Sequence, residues 1–516
     1  MKIYSLLAAL LLIAACQQKA KETDYLGIVN LTVTGNKQAL PHFEKGLLLL
    51  HNFEYADALE SFEMAKEADP EMSMAYWGEA MTYNHSLWGQ QEYERGVAAL
   101  EEQQAFANQE AITLLEKDFI RAEEILYKPE TPKTIRDKAY AEYMAEMYQK
   151  YPDNHEVAAF YALSLLGSVS EGRDDEIYGQ GAVVVQGILE ENPKHPGALH
   201  YLIHSYDDPK HAKYALNAAN TYSKVATDAG HALHMPSHIY VALGMWDEVV
   251  SSNEDSYQAS IDRKERKKLD GDARGYHYYH WLEYGYLQKG RFEDAKKMVI
   301  NMEKFTAEKP SGRARTHMVF LKGTFLVETN DWNSEVADIN VDLSGLNVAV
   351  RSQYNFLEGM KAFKTGNPAL LDASIETIRE DYEAEILFIT DNGIAVCSGA
   401  SNEAANQTNI DESKIMELQL LAMKAWMNDD TQLTEELLQA SVVMEEALSY
   451  SYGPPFIQKP THELYAEWLM AQDRLEDAVL QYDYTLQRAT NRIMTLAGKK
   501  KAEEMIKNRP LAQETS

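Results

Sequence analysis

Residues 42–70 read HFEKGLLLLHNFEYADALESFEMAKEADP. Apolar side chains recur every three to four positions, first through Leu49 and again from Tyr55 through Phe62 and Ala65. That spacing predicts two amphipathic helices joined by a short turn. Gly46 and Ala58 lack bulk, so the two helices can approach closely, while Leu49 and Phe62 fill the space between hairpins. Pro70 ends the second helix and opens the next unit. Outward from this stretch the register recurs. Tyr76, Ala80 and Tyr83 continue it, followed by Pro152, Ala158, Ala162 and Leu165, then Pro193, Leu199 and Ile203. Gly244 with Trp246, Gly290 with Phe292 and Ala295, and Gly359 with Gly366 mark further hairpins. Ala466, Leu469, Leu475, Ala478 and Tyr482 form the last one. Length alone would suggest about three ordinary domains. A repeat replaces that expectation with one elongated unit.

These spacings resemble the tetratricopeptide repeat, a unit of about 34 residues built from two antiparallel helices. The resemblance covers most of residues 36–500 and implies roughly nine to twelve hairpins. The expected fold is all-α: a right-handed solenoid of antiparallel helical hairpins with a concave inner wall. Residues 84–134 contain helices but break the count and read as an insertion. Residues 390–410 read as a loop around the Asn392-Gly393 turn signal. Residues 501–516 read as a polar tail. The segment YSYGPPFIQKP, residues 450–460, reads as a structured loop entering the final hairpin. The motifs HYLIHSYDDP and HALHMPSHIYVALGMW are similar to a group of bacterial tetratricopeptide proteins; that likeness supports the fold and exports no mechanism.

The 516-residue chain holds 49 Lys+Arg against 80 Asp+Glu, for a formal net charge of -31. That balance excludes nucleic acid and anionic lipid surfaces as partners, because both select clustered cations. The N-terminal MKIYSLLAALLLIAAC reads as a secretory signal over residues 1–15, too short for a permanent span. IAAC resembles the lipobox of bacterial lipoproteins, which implies lipidation of Cys16, a tether over residues 16–35 and membrane attachment through that lipid alone. Gln17 after Cys16 favours the outer membrane of the cell envelope. Cys397 has no thiol partner in sequence and reads as a buried bystander. The run Arg263–Lys268 reads as a solvated helix face.

In the repeat family that this chain resembles, positions 2, 5, 9, 12 and 13 of each unit line the concave wall. Carried onto this sequence, that register assigns His200, His204, Asp207 and Asp208 to one hairpin, His231, His234 and His238 to the next, and His277, His280 and Tyr284 to a third. Upstream it assigns Trp77, Met81, Asn84 and His85, and in the last repeat Glu463 and Glu467. Seven of the chain's 15 histidines therefore fall on three adjacent hairpins. An i, i+4 pair stacks two imidazoles on one helical face, where one ion can take both. His200, His204, His234 and His238 are the foremost candidate ligands, followed by His231, His277, His280 and Asp208. Imidazole suits Zn, Cu, Ni or Fe. HExxH, a glycine-rich phosphate loop and GxSxG are all absent from the sequence.

Three readings of function stay open at this stage. The first is a membrane-anchored scaffold that binds a protein, peptide or small ligand in its groove, with a His-rich metal site. The second is a metal-dependent enzyme that uses the same histidines. The third is glycan capture of the SusD type, which the size, the lipobox and 31 tyrosines would suit, although that family's Arg- and Tyr-rich helical signature is missing.

Overall fold

The computed structural model describes residues 25–108, 110–170, 172–387 and 405–509. Cys16, Cys397, the whole of the expected leader and residues 16–24 of the expected tether lie outside them. Among the described residues are 23 α-helices and one two-residue β-ladder, Asn84–His85 against Gln90–Gln91. Successive helices pack as antiparallel hairpins, so the chain forms the expected all-α, tetratricopeptide-like solenoid.

The first hairpin shows why. Helices Leu40–His51 and Tyr55–Ala68 pack through Gly46 and Ala58. A Cβ on Gly46 would lie 2.7 Å from the Phe62 ring, and one on Gly78, in the next helix, 2.3 Å from it. Phe62 is 0% exposed, seated between the two glycines. Burying such a ring contributes about 1.5–3 kcal/mol. The small residues thus set the hairpin spacing and the phenylalanine fills it.

Four features depart from the sequence reading. Residues 25–35 are no free tether. They form an extended strap, with Leu26 and Val33 buried. The Ile28 N–H donates to Lys194 O at 3.0 Å and the Asn30 N–H to Glu156 Oε1 at 3.1 Å. The Thr34 Oγ1–H donates to Glu116 Oε2 at 2.9 Å. The strap crosses three hairpins, and its unpaired backbone groups find partners there. The helix Gln407–Met427 begins inside the expected 390–410 loop, and the last helix runs Ile493–Asn508, so the first half of the expected tail is helical.

The fourth departure concerns the groove. The superhelix is wound so tightly that segments about 150 to 250 residues apart touch. The Tyr222 hydroxyl donates to Asn52 Oδ1 at 2.8 Å, and Arg263 Nε donates to Asp57 Oδ1 at 3.1 Å. At the C-terminal end Trp246 Nε1 donates to Asn491 O at 3.1 Å, and Arg492 pairs with Glu328 at 2.6 Å. Two large cores result, one centred on residues 26–249 and one on 250–482. A cavity of about 760 Å³ lies between them. The loop 448–460 forms one side of it. Gly453, at φ +83, presses on Trp281 so closely that a Cβ would lie 2.2 Å from the indole. Among the described residues no helix is long and apolar enough to cross a membrane.

Candidate metal centre

Helix Pro196–Tyr206 carries His200 and His204. The next pair spans a break: Gly230–His234 ends, Met235 keeps right-handed helical angles (φ -52, ψ -37), and Pro236–Leu243 follows. Because Met235 stays helical, His234 and His238 keep their i, i+4 relation, with ring centroids 5.1 Å apart. Helix Tyr276–Gln288 supplies His277. Ring-to-ring distances trace one continuous chain. His231–His200 is 5.0 Å, His200–His204 5.0 Å, His204–His238 5.5 Å, His238–His234 5.1 Å and His234–His277 4.7 Å.

Within this chain two triads stand out. One donor atom from each of His200, His204 and His231 lies within 4.8 Å of the others, and the same holds for His234, His238 and His277. Two donors of a tetrahedral ion at 2.0–2.1 Å sit about 3.4 Å apart. His200 Nε2 and His231 Nε2 are 3.2 Å apart; in the metal-free protein His231 Nε2–H donates to His200 Nε2 across that gap, which an ion would have to replace.

The hydrogen bonds fix which nitrogen each ring presents. The His200 Nδ1–H donates to the His51 carbonyl at 2.8 Å. His204 and His238 both direct Nδ1–H at Asp207 Oδ2, at 3.1 and 3.2 Å. The His234 Nδ1–H donates to Asn253 Oδ1 at 2.7 Å, and Asn253 is itself oriented by Val249 O at 2.8 Å. A carbonyl or a carboxylate can only accept, so each Nδ1 carries the hydrogen and each Nε2 carries the lone pair. Acceptors on the far nitrogen also fix ring orientation and raise basicity, as they do for metal-binding histidines. His234 Nε2 is buried with no hydrogen-bond partner.

The electrostatics favour neutral imidazole. Burial, reinforced by neighbouring histidines, pushes His200, His231, His234 and His277 well below the usual histidine range. His238 is lowered by burial too, against the pull of Asp207. Burial alone would raise Asp207; the bonds from His204 and His238 outweigh it and keep the carboxyl below its usual range. Metal binding needs a deprotonated imidazole, so no proton must first be removed from these rings.

The sequence register gathers six of its seven histidines here. His280 is not among them: its Nε2 lies 2.8 Å from Thr324 Oγ1, because helix Gly312–Thr329 packs on that side. Burial lowers His280 to about 3. Asp208 is also apart; Arg173 pairs with it at 3.1 Å and His211 at 2.8 Å. Trp77 and Met81 are core, not wall, at 1% and 3% exposure; Trp77 packs on Phe119 and Phe160. Asn84 bonds Ser86, and His85 stacks on Tyr55 at 4.0 Å. Tyr284 lines the cavity. Glu463 and Glu467 are held by Lys459, and Glu463 also by Arg492 at 3.0 Å, so they neutralise buried cations.

Three residues that shape the centre escaped the lining rule. Asn253 lies on the outer helix Trp246–Lys267, and Phe53 (4.3 Å from the His200 ring) and the His51 carbonyl belong to the first hairpin. No local signal in sequence marks them. A second histidine group, His51 and His195 about Glu156, has different chemistry. Glu156 Oε2 is 2.7 Å from His51 Nε2 and Oε1 is 3.3 Å from His195 Nε2. His195 Nδ1 accepts the Ala198 N–H at 3.1 Å. Both rings therefore turn Nε2–H toward the carboxylate. Burial would raise Glu156, but His195 and His51 outweigh it and keep it ionised. This group locks helices and strap together.

His231, His238 and His277 also line the 760 Å³ cavity, beside Phe53, Trp88, Tyr278 and Trp281. The histidine centre thus forms part of an aromatic-rich cavity wall.

No protein-family model and no curated protein matches this chain. Solved structures do. The chain is similar to yeast Tom70, with a TM-score of 0.33 and 11% identity, over 92% of this chain and 90% of that one. It is similar to the human IFIT1 dimer with PPP-AAAA at a TM-score of 0.38 and 12% identity, over 92% and 87%. The TPR domain of P58(IPK) matches at a TM-score of 0.23 and 11% identity, over 91% and 98%.

Proposed function

We propose that the protein is a helical-repeat scaffold that binds divalent transition-metal ions at the histidine centre and holds an organic ligand in the adjoining cavity. The observation that carries this reading is the orientation of four imidazoles, His200, His204, His234 and His238. Each commits Nδ1–H to a fixed acceptor and keeps its lone pair on Nε2. The buried His234 Nε2, which has no hydrogen-bond partner, adds an open donor atom to the set. The donors are all imidazole, which suits Zn, Cu, Ni or Fe and disfavours Ca and Mg. The cavity falls in the size range of small-ligand sites, which supports a small molecule or a short peptide segment over a folded protein partner.

A second reading, metal-dependent catalysis, is favoured by one feature. Each triad offers three protein ligands, the number that leaves an ion a position for water or substrate. From the sequence we also propose that Cys16 is lipidated and that the chain is anchored at the cell envelope, on the outer membrane.

The test is reconstitution of purified protein with Zn(II) and Cu(II), desalting and elemental analysis. Retained stoichiometric metal is expected in wild type and reduced metal in His234→Gln. Absence of retained metal would overturn the proposal.

A further inference from the structure

We infer that the centre holds two ions, one in each histidine triad, with both triads oriented by the single carboxylate of Asp207. This rests on the metal-binding reading above and adds a stoichiometry and a coupling to it. Six imidazoles are more than a tetrahedral ion accepts. They also divide: His200, His204 and His231 form one donor set, His234, His238 and His277 the other, with no shared member. The grouping that crosses between them is His204, Asp207 and His238. There both rings meet Asp207 Oδ2 through Nδ1, at 3.1 and 3.2 Å, which are hydrogen-bond distances. Asp207 therefore ties the sets from behind, and their Nε2 atoms point to separate ions.

The middle member of each set has its own support. His200 is held by the His51 carbonyl and His234 by Asn253. Neither set needs the other to keep its shape, apart from Asp207. Asp207 is 1% exposed, and Arg173 beside it, at 3.5 Å, balances its charge. One buried carboxylate with two imidazole partners makes the two sites neighbours by construction. The members at the cavity wall, His231 in one set and His238 and His277 in the other, place both ions next to the same cavity.

The experiment loads the full chain with excess Cu(II), removes unbound metal, quantifies copper per chain and records the electron paramagnetic resonance spectrum. Two coppers per chain are expected, with spin–spin broadening from their proximity. His231→Gln and His277→Gln each alter one set; each is expected to retain one copper and to lose the broadening. Thermal melts confirm that both variants fold. One copper per wild-type chain overturns the pair and leaves the single-site reading standing. No copper overturns both. Two coppers without broadening, or loss of both from a folded single variant, also overturns the paired arrangement.

Discussion

Asp207→Asn is the most informative single change. The carboxylate is 1% exposed and receives Nδ1–H from His204 at 3.1 Å and from His238 at 3.2 Å. Asparagine keeps the shape, removes the charge and offers one carbonyl oxygen beside an NH2 that cannot accept. Bonds to a charged acceptor are worth about 1.5–3 kcal/mol each. With half of that interaction retained, the metal-free protein loses roughly 1.5–3 kcal/mol of stability. Arg173 is not stranded, because Asp208 at 3.1 Å and Asp175 at 3.0 Å still pair with it. Loss of the acceptor behind a ligating imidazole lowers metal affinity about 10–100-fold, which is about 1.4–2.7 kcal/mol. Zinc affinity is measured by competition with a chromophoric chelator, and stability by urea unfolding. Unchanged zinc affinity would refute the claim that Asp207 orients the rings. Complete loss of binding would make Asp207 a ligand, which also contradicts its assigned role.

Three further outcomes follow from particular contacts. Gly78→Ala places a Cβ 2.3 Å from the Phe62 ring; overpacking of this kind costs about 1–3 kcal/mol, and a melting temperature equal to wild type would show the hairpin spacing to be looser than described. Glu123 is fully buried with both carboxylate oxygens unbonded, and burial raises its pKa well above 4.5. Its folded form stays protonated where the unfolded chain ionises, so its contribution is full below pH 4.5 and falls by about 1.4 kcal/mol per pH unit above it, up to the raised folded value. Glu123→Gln removes that loss, so the variant gains on wild type as pH rises from 5 to 8; parallel stability curves would refute the assignment. Gly453→Ala sets a side chain against Trp281 at 2.2 Å in a left-handed backbone conformation (φ +83). It is expected to displace loop 448–460 and quench or shift Trp281 emission, and an unaltered spectrum would disprove the contact.

Much was legible in the chain itself. Spacing of three and four residues is a local property, and so were the hairpins, the small residues Gly46 and Ala58 where the first two helices meet, the filling role of Phe62, and the placing of His200, His204, His231, His234, His238 and His277 in one repeating register. What the sequence could not encode locally was closure. The register assumed an open wall, on which Trp77 and Met81 would face solvent; winding of the superhelix put both in the core instead. The same winding docked residues 25–35 as a strap and turned His280 to Thr324. It also brought the His51 carbonyl to His200 across 149 positions of sequence and set Asn253 behind His234. Helical periodicity depends on neighbours four residues away, so sequence alone determined most of the helices and the shared face of six of the seven register histidines. The hydrogen-bond acceptors that choose which nitrogen of each ring is presented come from segments that only tertiary packing brings together. That step separates a histidine-rich wall from a candidate metal centre.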